Sequence, residues 1–163
     1  MSEMARLASL GGFFAAHGVW CVSEGEPLVP FCAVESADGS RALTRFAAER
    51  LEAGVAQAQG FFAGQHAAGA ARAALVYDAY VTLDWGKTDA LIIDARSLSS
   101  DFSFTMIVPY RNARAGFAVY RPKLRAIAPR DTPGAEVVEP FFAGVDSHAE
   151  AAAVWNAHID QNR

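Results

Sequence analysis

Residues 73–97, AALVYDAYVTLDWGKTDALIIDARS, restrict the fold more than any other stretch of the chain. Two runs of β-branched, aromatic and other apolar residues flank Asp84-Trp85-Gly86-Lys87. A strand sends successive side chains to opposite faces, and a short glycine-containing segment between two such runs reads as a β-hairpin. Pairing residue 78 with residue 94 sets Leu75, Tyr77, Ala79, Val81 and Leu83 against Leu91, Ile93 and Ala95 on one apolar face. The same register puts Asp78 directly opposite Asp94 on the other face, with Arg96 beside them. A slip of one residue would mix the two sets, so this register is the expected one.

The flanking segments supply the rest of an architecture. Met4, Leu7, Leu10 and Phe14 recur at helical spacing and predict a helix over residues 3–17. Gly18 would cap it, with the His17 imidazole near the negative end of its dipole. Gly11-Gly12 oppose this helix by about 1 kcal/mol each. Residues 28–36 (LVPFCAVES) read as a strand, Asp38-Gly39 as a turn and residues 41–46 (RALTRF) as the returning strand. The rival for 41–46 is a helix start capped by Ser40. A helix over 47–63 follows, with Val55, Ala58 and Phe62 in its apolar stripe.

After the hairpin, Phe102 to Tyr110 alternate as a third strand and GFAVYR (116–121) as a fourth. Pro122, Pro129 and Pro133 mark an irregular stretch, and AEVVE (135–139) reads as a short strand. Ser147 and Glu150 have capping-box spacing at the start of a last helix, with Ala152, Trp155 and Ile159 inward. The expected fold is one α+β domain over residues 1–163. Its mainly antiparallel sheet combines the meander 73–121 with the hairpin 28–46, packed by helices near 3–17, 47–63 and 147–160.

Composition narrows the function. With 52% hydrophobic and 20% charged residues among 163, the chain can bury a core and is not disordered. No apolar run approaches the roughly 18–20 residues that span a bilayer, so no membrane partner is expected. Residues 7–20 are too interrupted, by Gly11, Gly12 and His17, for a secretory signal core. Cys21 and Cys32 sit among apolar neighbours and read as reduced thiols, which points to a cytoplasmic location. The net charge of −4 weighs against general nucleic-acid binding. Its distribution is uneven. No acidic residue lies between Asp101 and Asp131, whereas Arg111, Arg114, Arg121, Lys123, Arg125 and Arg130 all do.

Two clusters are candidates for chemistry. Asp78 and Asp94, with Arg96, form either a carboxylate pair for acid/base work or a salt-bridged solvated face. The second is the basic stretch, in which Tyr110, Arg111, Arg114, Tyr120, Arg121, Lys123 and Arg125 interleave cations with aromatics. Forked guanidinium hydrogen bonds would hold carboxylates or phosphates there. His17, His66, His148 and His158 are scattered without ligand spacing, so neither a metal nor another cofactor is expected. No GxSxG elbow, P-loop or GxGxxG occurs. The expected function is a non-enzymatic binding or accessory protein that presents the basic strand to an acidic protein partner or small anionic ligand. A homodimer through a sheet edge or helix face would accompany it. The alternative is a small enzyme with the Asp pair as acid/base and Arg111 or Arg121 holding an anionic substrate.

Overall fold

The computed structural model describes residues 1–64 and 69–163; His66 lies outside them. In chain order the elements are α1 (Glu3–Val22), β1 (Phe31–Ser36), β2 (Arg41–Arg45), α2 (Leu51–Ala63), β3 (Ala70–Leu83), β4 (Gly86–Ser97), β5 (Ser103–Arg111), β6 (Ala118–Val119), β7 (Lys123–Ala128), α3 (Ala135–Ser147) and α4 (Ala149–Ala157). The strands form one antiparallel sheet in the order β2-β1-β3-β4-β5, with β6 and β7 both pairing with β5. The α+β class and the antiparallel sheet are as expected. Residues 41–45 are a strand, paired with β1 from Arg41↔Glu35 to Arg45↔Phe31.

The central hairpin forms, but in a different register. Leu83 pairs with Gly86 across a two-residue Asp84-Trp85 loop, and Asp78 pairs with Leu91 rather than Asp94. Asp94 lies opposite Leu75. An odd shift exchanges the faces of β3, so Val76 and Asp78 now share a face with Ile93 and Leu91. The alternation argument failed because the sheet is apolar on both sides. Val76, Leu91, Ile93, Met106 and Val108 belong to the main core, while Ala90, Ile92 and Ile107 form a second buried cluster behind them.

The main core lies under α1. Gly11 and Gly18 let this helix settle on the sheet: a Cβ at Gly11 would lie 2.7 Å from the Phe104 ring and one at Gly18 3.0 Å from Leu91. Gly18 is therefore inside the helix and not its cap. The helix ends at Ser23, whose amide donates to the Trp20 carbonyl. Its outer side is covered by α3, where Val137, Phe141, Gly144 and Val145 recur at helical spacing and are buried. The expected strand at 135–139 is the first part of this helix. Pro140 sits inside it at the loss of one backbone hydrogen bond.

Other boundaries moved for local reasons. Residues 123–128 are not irregular but form β7 on the free edge of β5, bracketed by Pro122 and Pro129. The strand expected over 116–121 shrinks to Ala118–Val119. Helix α4 is capped by His148 instead of Ser147, and Ala152 and Trp155 are buried, whereas Ile159 is exposed beyond the helix end. At the other end of α1, Arg72 is buried between Glu3 and Glu35, with contacts of 2.9 and 2.6 Å, and Ser97 Oγ donates to Glu3. This network pins the helix N-terminus to the sheet. No described helix is long and apolar enough to cross a membrane.

The closest helix contact is reciprocal. A Cβ on Gly12 would overlap the Phe141 carbonyl, and one on Gly144 would overlap the Ser9 carbonyl. Gly12→Ala and Gly144→Ala should each destabilise the protein by about 2–3 kcal/mol, because backbone cannot rotate away as a side chain can. Gly60→Ala, which meets nothing within 4 Å, should be neutral or stabilising. Urea denaturation of the three variants tests the contrast.

Candidate binding groove

The sheet face turned away from α1 carries Tyr77, Ala79 and Val81 on β3, Ala90 and Ile92 on β4, and Ile107 on β5. Lys123 pairs with Ile107, so its side chain rises from the same face. The β5–β7 register then shifts between Thr105 and Met106, which makes Arg125 the extra residue of a β-bulge. Bulges re-aim side chains, and this one brings Arg125 to the same groove as Lys123. The sheet curls so that Tyr80, Val81, Thr82 and Leu83 form the opposite wall of a groove of about 510 Å³, with Ile107 on its floor.

The electrostatics of the groove are one-sided. Neither Lys123 nor Arg125 makes an ion pair with a described residue. The field of Arg125 reaches Tyr77, whose hydroxyl is pushed up by burial and by Asp94, against the opposing influence of Gln59 and Arg125. Asp94 accepts a hydrogen bond from Thr105 Oγ1 on this face. Arg96 donates to the Phe62 and Ala63 carbonyls at 2.7 and 3.2 Å, so it caps the C-terminus of α2.

Other expected site residues are dispersed. Tyr110 and Tyr120 are buried, each 3% exposed, and neither can stack on a partner at the surface. Tyr120 packs on Trp85 at 5.1 Å, and Arg163 lies over the same indole. Arg111 donates through Nε to the Gly116 carbonyl at 2.6 Å, and Arg121 to the Arg163 carbonyl at 3.4 Å. Arg114 sits exposed in a single helical turn at Ala113–Ala115. Of the basic stretch, Lys123 and Arg125 alone line the groove.

Asp78 has a partner that the sequence did not announce. On the α1 side of the sheet, the Tyr110 hydroxyl donates to Asp78 Oδ2 at 2.8 Å. Burial raises the Asp78 carboxyl to about 6, with Asp89 adding to the rise and the Tyr110 hydrogen bond opposing it. The two carboxylates expected to collide therefore lie on opposite faces.

A second polar pair joins α1 to the α3–α4 junction. The Ala151 amide donates to His148 Nδ1 at 3.4 Å, which leaves the His148 proton on Nε2. That nitrogen lies 3.2 Å from His17 Nδ1, so His17 carries its own proton on the buried Nε2. Phe13, Phe14, Trp20 and Phe31 surround the pair. Burial, then His148, then Arg45 hold the His17 pKa below its ordinary value. His148 is the N-cap of α4, while His17 lies inside α1 rather than at its end. A contact across 131 residues leaves no local signal.

No group of three or more described His, Cys, Asp or Glu residues is arranged to hold a metal ion. Cys21 and Cys32 are unpaired thiols, and burial pushes Cys32 up to about 12. No family model matches the chain, and no curated protein or solved structure shows significant similarity to it.

The two perturbed sites pull stability in opposite directions with pH. Neutral Asp78 contributes most below about pH 4, and that contribution is lost as pH rises through about 6. Asp78→Asn should therefore gain on the wild type between about pH 4 and pH 7, by a few degrees in Tm. Neutral His17 contributes fully above its unfolded pKa of about 6.5, and the contribution falls as pH drops towards its lowered folded value. His17→Gln should accordingly lose less stability than the wild type on going from about pH 8 to about pH 5. Thermal melts across this range check both signs.

Proposed function

We propose that the chain is a non-enzymatic binding protein whose curled sheet face takes an acidic, partly apolar segment of a partner protein. The observation that carries this reading is the pairing of two exposed cations that make no ion pair with a described residue, Lys123 and Arg125, with a groove floored by Ile107. An apolar side chain gains by leaving water for such a floor, at roughly 25 cal/mol per Å². A carboxylate beside it meets a bidentate guanidinium and an ammonium, which supply orientation and specificity. The reading assumes a reducing cytoplasm, in keeping with two unpaired thiols.

The enzymatic alternative needs Asp78, Asp94 and an arginine anchor around one pocket. The register sends the two carboxylates to opposite faces, and Arg111 and Arg121 each spend a guanidinium donor on a backbone carbonyl. The binding reading is supported by Lys123, Arg125 and Ile107 lining the same groove.

A fluorescein-labelled peptide of alternating glutamate and leucine is a direct probe. Anisotropy should show salt-sensitive binding, weakened at least tenfold, or ~1.4 kcal/mol, by combined Lys123→Glu and Arg125→Glu. The same variant should leave thermal stability unchanged, since both side chains are exposed. Equal affinity for the wild type and the reversed variant, or stronger binding of a lysine–leucine peptide, would overturn the proposal.

A further inference from the structure

Among the described residues, three stretches of sheet edge have no further strand paired on them, and they differ in chemistry. The outer edge of β2 carries Arg41 and Arg45, and that of β7 carries Lys123 and Arg125. Charged side chains are a common device against edge-to-edge pairing. The third edge arises because β1 is shorter than its neighbour. Its pairing with β3 ends at Phe31↔Val76, next to Pro30, which has no amide hydrogen to continue a ladder. Beyond that point β3 pairs with β4 alone as far as Leu83. The overhang runs from residue 77 to residue 83; beyond Asp78, whose carboxylate accepts from Tyr110, it reads Ala79-Tyr80-Val81-Thr82-Leu83, with no charge, no proline and three residues of high strand propensity. Among the described residues, no backbone hydrogen bond outside the β3–β4 ladder reaches this segment.

We infer that the Ala79–Leu83 edge is a homodimer interface, in which two copies of β3 pair antiparallel about a two-fold axis. Three observations choose a second copy as the occupant. The segment is uncharged, so it meets its own image without repulsion, as an isologous interface requires. The outer edges of β2 and β7 carry charges that discourage promiscuous pairing, and this segment does not. Tyr80 is 79% exposed, the largest exposure of any aromatic side chain among the described residues. With the axis at Val81, Tyr80 stands opposite the partner's Thr82 and Ala79 opposite the partner's Leu83. An aromatic beside a β-branched residue is a favourable cross-strand pair. Tyr80–Leu83 also form one wall of the groove, so pairing brings the two grooves together across the axis. The dimer rests on the edge alone and stands whether or not the groove takes an acidic segment.

The test uses the two exposed positions, whose substitution leaves the core untouched. Sedimentation equilibrium of the wild type, without any peptide, should show a concentration-dependent dimer. Combined Tyr80→Lys and Thr82→Lys, which sets like charges opposite each other in this register, should remain monomeric. Combined Tyr80→Lys and Thr82→Glu, which sets opposite charges there, should restore the dimer. Circular dichroism confirms that each variant is folded. A wild type that is monomeric at every concentration reached, a dimer indifferent to both variants, or two variants that behave alike would each overturn the inference.

Discussion

The backbone of α1 touches the backbone of α3 at Gly12 and Gly144, and the rest of the molecule is arranged around that contact. A helix that approaches one neighbour so closely, and the sheet through Gly11 and Gly18 on its other side, keeps only a narrow, partly exposed stripe along Arg6, Ser9, Phe13, His17 and Trp20. Three glycines in one helix cost about 3 kcal/mol in propensity. Burial of Met4, Leu7, Leu10, Phe14 and Val19 offsets this several times over, at about 1.5–3 kcal/mol for each large side chain. The buried ion network of Glu3, Arg72 and Glu35 then sets where α1 begins on the sheet. A buried pair of this kind contributes more to fixing position than to net stability, since desolvation cancels much of its attraction.

This packing explains what could be read from the chain and what could not. Strands were legible because period-two runs and turn residues are local, and so was the hairpin at 31–45. The register of β3 on β4 was not. It was inferred from keeping one face apolar, and both faces proved apolar because α1 covers one and the other is partly buried behind it. Gly18 read as a cap for a similar reason: a glycine required by a neighbouring strand looks the same in sequence as one that ends a helix. AEVVE read as a strand because Pro140 interrupts the helical pattern that Val137, Phe141 and Val145 complete. The basic stretch was legible as a charge asymmetry. Its division was not, since burial of Tyr110 and Tyr120 depends on Asp78 and Trp85, both distant in sequence.

The corrected register also reassigns the polar groups. Two carboxylates placed face to face would have needed a cation or an arginine between them. With Asp78 and Asp94 on opposite faces, each is served by a hydroxyl from β5, Tyr110 on one side and Thr105 on the other. Arg96, freed from that duty, ties the end of α2 to the sheet. The molecule thus uses its polar residues on the strands to hold elements in place, and leaves Lys123 and Arg125 exposed with no ion pair to a described residue.

The distribution of charge along the sheet edges follows from the same economy of partners. An edge strand exposes unpaired amides and carbonyls whatever its side chains, so its chemistry decides what it will accept. Arginines on β2, and a lysine and a bulged arginine on β7, put positive charge along those edges. The Ala79–Leu83 part of the β3 overhang carries no charge, and β1 stops short of it next to Pro30, which has no amide hydrogen to extend the ladder. Because the overhang is at once an edge and a wall of the groove, whatever pairs with it also reshapes the surface that Lys123 and Arg125 serve. A change at Tyr80 or Thr82 therefore alters a stretch of sheet edge and a groove wall together.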